Sequence, residues 1–349
     1  MERIKLINPT DKKFVGLSRQ KWNNVAKPLG SLGEFEKIIE KISAVQESAN
    51  VDISHRTAVI MCADNGVVKQ NISQSGQEVT ALCARSIAEG RSNINALARR
   101  FNADVLAVDI GINADINCKN LLTKKIMYGT NDISTGAAMS ENQAKSAISA
   151  GIDIVRQLKE NGKNMIITGE MGIGNTTTSS AVASVILGVS AECVTGRGAG
   201  LTDDALKRKI EVINTALKVN SPDKNNPLDV LAKVGGLDIA GMTGLFLGGA
   251  IYHVPTVIDG VISAVSAALA FMISPHCADY MLASHVSEEP AGKMLLDFIG
   301  LKPVINAGLR LGEGTGGIFL LPLLDGALSV YKNSHTFEEL GIEKYEELS

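Results

Sequence analysis

The spacing of apolar positions changes near residue 56. Before it, Glu34 to Ser48 places Phe35, Ile38, Ile39, Ile42 and Val45 three and four residues apart, which predicts one apolar helix face. Trp22 falls in an earlier helical stretch. After Thr57 the chain carries short continuous apolar runs: Ala58-Val59-Ile60-Met61, Val105-Leu106-Ala107-Val108, Met165-Ile166-Ile167 and Pro255-Thr256-Val257-Ile258. They end in polar or glycine-bearing turns, Asp64-Asn65-Gly66, Asp109-Ile110-Gly111, Thr168-Gly169-Glu170 and Asp259-Gly260. Helical stretches lie between them, Glu78 to Arg100 and Glu141 to Leu158, and the apolar helix Val261 to Ile273 follows the last run. Apolar runs without polar alternation predict strands buried on both faces. Strand, loop and helix in repetition predict an α/β fold with a parallel sheet and crossover helices. Ligands of such sheets bind beyond the carboxyl ends of the strands, where these turns fall.

Composition narrows the partners. With 349 residues, 45% of them apolar, the chain can form one large domain with a smaller one, or two domains. A formal charge of -3 and 4% aromatic residues give no footprint for nucleic acid or an anionic membrane. His253, Pro255 and Asp259 divide the apolar region Ile239 to Ser274 into pieces shorter than the roughly 20 residues of a membrane helix. Met1-Glu2-Arg3-Ile4-Lys5-Leu6 alternates charges and does not read as a signal peptide. Cys62, Cys83, Cys118, Cys193 and Cys277 are scattered, with no C-x-x-C pair, which fits a reducing cytoplasm and predicts no zinc ribbon. His285 has no second His or Cys at ligand spacing, so no metal site is predicted. A small molecule is the expected partner.

Three glycine-rich segments could carry chemistry. In Leu311-Gly312-Glu313-Gly314-Thr315-Gly316-Gly317 the glycines allow unusual backbone angles, so the acid can stand close to a ligand. A tight turn before a helix fits the same residues. Gly169-Glu170-Met171-Gly172-Ile173-Gly174-Asn175-Thr176-Thr177-Thr178 follows a strand and leads into a helix predicted over Ser179 to Leu187. Free N–H groups at such a helix start suit a phosphate, with the threonine hydroxyls at cap positions. No Lys-Ser or Lys-Thr follows, so this is not a P-loop. Thr195-Gly196-Arg197-Gly198-Ala199-Gly200, with Lys209 beyond it, reads either as the rest of a phosphate cradle or as a turn with a solvated Arg. Small residues in Gly235 to Gly244 permit close helix packing.

Lys27-Pro28-Leu29-Gly30-Ser31-Leu32-Gly33, Ala63-Asp64-Asn65-Gly66-Val67, Gly169 to Thr178, Gly235 to Gly244 and Leu311 to Gly316 occur in one order. Together they resemble the nicotinate-nucleotide–dimethylbenzimidazole phosphoribosyltransferase family over roughly residues 20 to 330. The resemblance implies a cytoplasmic homodimer that needs no metal or cofactor. It also implies a Rossmann-like sheet flanked by helices in residues 56–310, with a small helical domain from residues 1–55 and 311–349. The implied reaction moves phosphoribose from nicotinate mononucleotide to 5,6-dimethylbenzimidazole. By the same resemblance Glu313 is the general base. Glu170, Gly172, Gly174, Asn175, Thr176 and Thr177 hold the ribose phosphate, with Arg197, Gly198 and Lys209 at the same end. Ser75, Cys83, Met171 and Leu311 fall in the base pocket. The chain departs from the family at Glu78-Val79-Thr80-Ala81-Leu82-Cys83, where a Gln often stands at the last position. That predicts a shifted base preference, toward adenine or another benzimidazole. A paralogue activating phenolic bases and a non-catalytic nucleotide-binding protein are the competing expectations.

Overall fold

The computed structural model describes residues 2–198 and 200–345. Six strands form one parallel sheet: β1 (Arg56–Ala63), β2 (Ala103–Gly111), β3 (Leu121–Thr123), β4 (Met165–Met171), β5 (Thr256–Ile258) and β6 (Met281–Ala283). Their order is β3-β2-β1-β4-β5-β6, so the winding reverses between β1 and β4. That reversal is where ligands bind in doubly wound folds. Two short strands, β7 (His285–Ser287) and β8 (Ile305–Leu309), pair in parallel beside it.

Helices α1 (Lys12–Asn24), α2 (Glu34–Gln46), α3 (Glu78–Ala88), α4 (Asn93–Arg100) and α13 (Thr315–Asn333) cover one face of the sheet. The other face carries α5 (Glu141–Glu160), α6 (Asn175–Leu187), α7 (Ala191–Val194), α8 (Asp203–Asn220) and α9 (Pro227–Val234). It also carries α10 (Leu237–Tyr252), α11 (Val261–Ile273) and α12 (Ala291–Ile299). Every residue of β1 is buried, as its unbroken apolar run requires. Val59 and Met61 face one core, Ala58, Ile60 and Cys62 the other. The two-residue strand period thus serves two cores at once.

Both chain ends meet on the first face. The Trp22 and Tyr331 rings lie 4.8 Å apart, Tyr331 donates to Ser18 Oγ at 3.0 Å, and Arg56 pairs with Asp325 at 2.9 Å. On the second face α10 crosses α5 at glycines: a Cβ on Gly244 would fall 2.1 Å from the Ile148 carbonyl oxygen. The small residues of Gly235 to Gly244 therefore do serve close packing.

Two predicted helices differ from those observed. The stretch Glu78 to Arg100 is two helices, because the chain turns at Gly90 (φ +78°) and Ser92 begins a new helix through a capping box with Asn95. The helix predicted from Ser179 begins at Asn175 instead, capped by Gly174 at φ +93°. Thr176, Thr177 and Thr178 therefore sit in its first turn and not at the cap. Both corrections place a helix N-terminus at the carboxyl edge of the sheet.

Candidate active site

A cavity of about 220 Å³ opens at that edge. Glu170 and Met171 reach it from the end of β4, Asp259 from the turn after β5, His285 and Ser287 from β7, and Arg310 to Glu313 from the approach to α13. The site thus gathers chain segments more than 140 residues apart onto one strand edge.

Glu313 has a left-handed backbone, φ +57°, between Gly312 at +85° and Gly314 at +82°. Three such residues in succession are feasible because two are glycine, and the strain rests on the acid, a pattern found at functional sites. Asp259 anchors the segment: its buried carboxylate accepts from the Gly314 N–H at 3.1 Å and the Gly317 N–H at 3.0 Å. It caps α13 from another part of the chain and favours the positive end of that helix. The Glu313 side chain points toward the start of α4. Its Oε2 is buried with no hydrogen-bond partner. Burial raises its pKa above the ordinary Glu value, the Ile94 amide and Asn93 at the α4 terminus pull it back, and Asp259 adds repulsion. The Cys83 thiol is pushed up by burial and by the Glu313 charge.

The other end of the cavity is built around the α6 N-terminus. Gly172 packs so closely that a Cβ would lie 2.3 Å from the Ala63 carbonyl oxygen. Asn175 Nδ2 donates to Glu170 Oε2. Burial, with repulsion from Asp238 and Asp259, pushes the Glu170 carboxyl up to about 8, so it is mostly protonated at neutral pH. Lys209 of α8 lies fully buried behind the cavity wall and donates to Thr176 Oγ1 at 2.9 Å and to the Gly196 carbonyl at 3.1 Å. Burial lowers its pKa to about 8, against the opposing pull of Glu289. Two neutral acceptors leave the ammonium a third hydrogen beside the first turn of α6. There the Asn175 and Thr177 amides turn back to the Gly172 and Gly174 carbonyls and the Thr176 amide has no such partner among the described residues, an arrangement that suits an anion. Glu289 meanwhile accepts from the Gly198 N–H at 2.9 Å.

Of the residues singled out from sequence, Glu170, Met171, Gly172, Asn175, Thr176, Gly198, Leu311 and Glu313 line this one cavity. Gly174 and Arg197 line a smaller one of about 80 Å³ that shares its wall at Gly172, Asn175, Thr176 and Gly198. Arg197 is turned to the Leu201 carbonyl at 2.8 Å and to Asp203, so its charge is already engaged. Thr177 is buried in the first turn of α6 with no hydrogen-bond partner for its hydroxyl. Ser75, Cys83 and Lys209 line neither cavity: the Ser75 amide donates to Ser73 Oγ at 3.2 Å, and Lys209 is buried behind Thr176. Asp259 and Arg310 are not among the residues the glycine motifs mark, whereas His285, Ser287 and Glu289 come from the polar stretch Ser284 to Glu289, which is polar enough to line a site. Asp259 carries a signal, since it follows an apolar run in a strand-end turn, but nothing local marks Arg310.

A family profile described as phosphoribosyltransferase matches residues 7–342. A nicotinate-nucleotide–dimethylbenzimidazole phosphoribosyltransferase of Clostridium acetobutylicum is 44% identical over 345 residues, covering 99% of this chain and 98% of that protein. One of the same name from Acetivibrio thermocellus is 42% identical over 345 residues, covering 99% and 98%. The crystal structure of CobT from Thermus thermophilus superposes with a TM-score of 0.90 at 31% identity, covering 95% of this chain and all of that one. With a profile match along nearly its whole length and relatives of this name at 44% and 42% identity, the chain belongs to the nicotinate-nucleotide–dimethylbenzimidazole phosphoribosyltransferase family.

Proposed function

We propose that this protein transfers the phosphoribosyl group of nicotinate mononucleotide to 5,6-dimethylbenzimidazole, giving α-ribazole 5′-phosphate and nicotinate, with Glu313 as general base. The observation that carries the reading is the half-buried Glu313 carboxyl, whose Oε2 is buried without a hydrogen-bond partner, on the wall of the same cavity as the α6 N-terminus, with Lys209 behind Thr176. Phosphate held at α6 sets the ribose between that helix and Glu313. The nicotinate ring leaves a cationic glycosidic nitrogen as a neutral pyridine, so the leaving group needs no acid. The attacking benzimidazole nitrogen gains positive charge on bonding C1′, and its other ring N–H then loses a proton to Glu313. Attack opposite the leaving ring inverts C1′ from β to α. Holding two substrates in line supplies most of the remaining acceleration.

Cys83, whose thiol feels the Glu313 charge, bears on which base is used. A thiol hydrogen-bonds weakly where an amide would bind ring nitrogens firmly. Purified enzyme with nicotinate mononucleotide and equal amounts of dimethylbenzimidazole, adenine and phenol should release nicotinate and form both nitrogen-linked products, with Cys83→Gln shifting the mixture toward dimethylbenzimidazole. Absence of nicotinate release with every one of the bases would refute the transferase reading. An unchanged mixture in Cys83→Gln would refute the role of Cys83.

The same reading includes a cytoplasmic homodimer. Among the described residues no helix is long and apolar enough to cross a membrane. Phe319 and Leu323, one turn apart on α13, are exposed together with Leu82 and Leu311 near the cavity, an apolar face suited to a second copy. Light scattering should give twice the chain mass of 36.8 kDa, and a monomer at micromolar concentration would exclude the dimer.

A further inference from the structure

The cavity is crowded with acids. Glu170, Asp259, Glu289 and Glu313 all line it, and Arg310 is the single Lys or Arg side chain among its walls. Arg310 is exposed and has no hydrogen bond or ion pair with the described residues. It extends β8, whose Leu309 aligns with Ser287 of β7, so it enters from the β7 side. Glu313 reaches instead toward the start of α4. In an inverting displacement the attacking base and the departing ring lie on opposite sides of C1′. A base that gives its proton to Glu313 leaves the departing pyridine ring on the side away from α4. That ring bears a carboxylate, and beside Asp259, Glu289 and Glu313 it needs a cation. Lys209 is committed to the phosphate end, behind Thr176.

We propose that Arg310 binds the ring carboxylate of the mononucleotide and so makes the enzyme select nicotinate over nicotinamide mononucleotide. This rests on the transferase reading above. A guanidinium pairs with a carboxylate through two parallel hydrogen bonds, a geometry that a neutral carboxamide cannot match.

Calorimetric titration and steady-state kinetics on the intact enzyme test it with both mononucleotides. Wild type should prefer the nicotinate form. In Arg310→Leu, Kd and KM for nicotinate mononucleotide should rise about 10- to 100-fold, the loss expected for a charge-assisted pair. kcat should stay within a few-fold, and affinity for the nicotinamide form should not fall. Arg310→Lys should recover part of the preference. Equal weakening toward both nucleotides, unchanged affinity for the nicotinate form, or no preference in wild type would each overturn the assignment. Wild type that binds the nicotinate form selectively yet turns over no base would instead overturn the transferase reading, because the binding comparison does not depend on turnover.

Discussion

Replacing Glu313 by Gln is expected to lower kcat by about 10²–10⁴-fold, the range a positioned general base contributes. The amide fills the same volume but does not accept the benzimidazole proton. Affinity for nicotinate mononucleotide should change little, because the proposed phosphate site at α6 and Lys209 does not involve the Glu313 carboxyl. Stability should rise at neutral pH. Burial raises the Glu313 pKa, so the folded state binds more protons than the unfolded one, and stability falls as pH climbs from the ordinary Glu value through the raised one. Glutamine removes that charge and its cost. In the wild type, activity should fall as pH drops through the same raised pKa, and Glu313→Gln should lose this acid limb. Rapid-quench kinetics with nicotinate release, a pH profile and a thermal melt provide the readouts. A kcat within tenfold of wild type would show that Glu313 is not the base.

Local sequence carries the frame of this site. Buried strands announce themselves by unbroken apolar runs, and polar residues at their carboxyl ends mark the edge where ligands bind, as Glu170 and Asp259 do. The glycines around Glu313 are legible for a similar reason, since positive φ is a backbone property that sequence expresses through glycine. The helix break at Gly90 and Ser92 lies in Glu89-Gly90-Arg91-Ser92-Asn93, which carries no apolar side chain. Ile87 and Ile94 on either side stay two helical turns in phase and hide it, although Ser92 and Asn95 form a recognisable capping pair. That break matters, for it turns the α4 terminus toward Glu313. Tertiary placement decides the rest. Arg197 stands in the glycine loop as the natural anion ligand by sequence, yet it is engaged by Asp203 and Leu201. Asp259 holds Gly314 and Gly317 across 55 and 58 residues, a contact no spacing rule contains.

Lys209→Met is expected to raise KM for nicotinate mononucleotide about 100-fold or more while leaving the fold intact. The ammonium is fully buried with two neutral acceptors, Thr176 Oγ1 and the Gly196 carbonyl, and no ion pair within 4 Å among the described residues. Holding it there is costly without ligand, as its pKa of about 8 against an ordinary 10.5 records. The sign follows from proton counting. Between pH 8 and 10.5 the unfolded chain holds the Lys209 proton and the folded chain does not, so stability rises with pH across that window. Below it the full penalty is present, and at neutral pH methionine removes it. The two hydrogen bonds lost with the ammonium offset this gain, so Tm should move by only a few degrees. Binding a phosphate dianion reverses the balance, because the charge that burial disfavours is the one the ligand needs. In the wild type, kcat/KM should therefore fall as pH rises through about 8, where the free enzyme loses that proton. Glu170 ionises in the same range and adds repulsion. The double comparison separates them: in Lys209→Met the alkaline fall from Lys209 disappears, and any that remains belongs to Glu170. A Lys209→Met enzyme with wild-type KM would place the phosphate elsewhere. One with a Tm lowered by more than about ten degrees, beyond the few-degree shift expected here, would make Lys209 a structural residue.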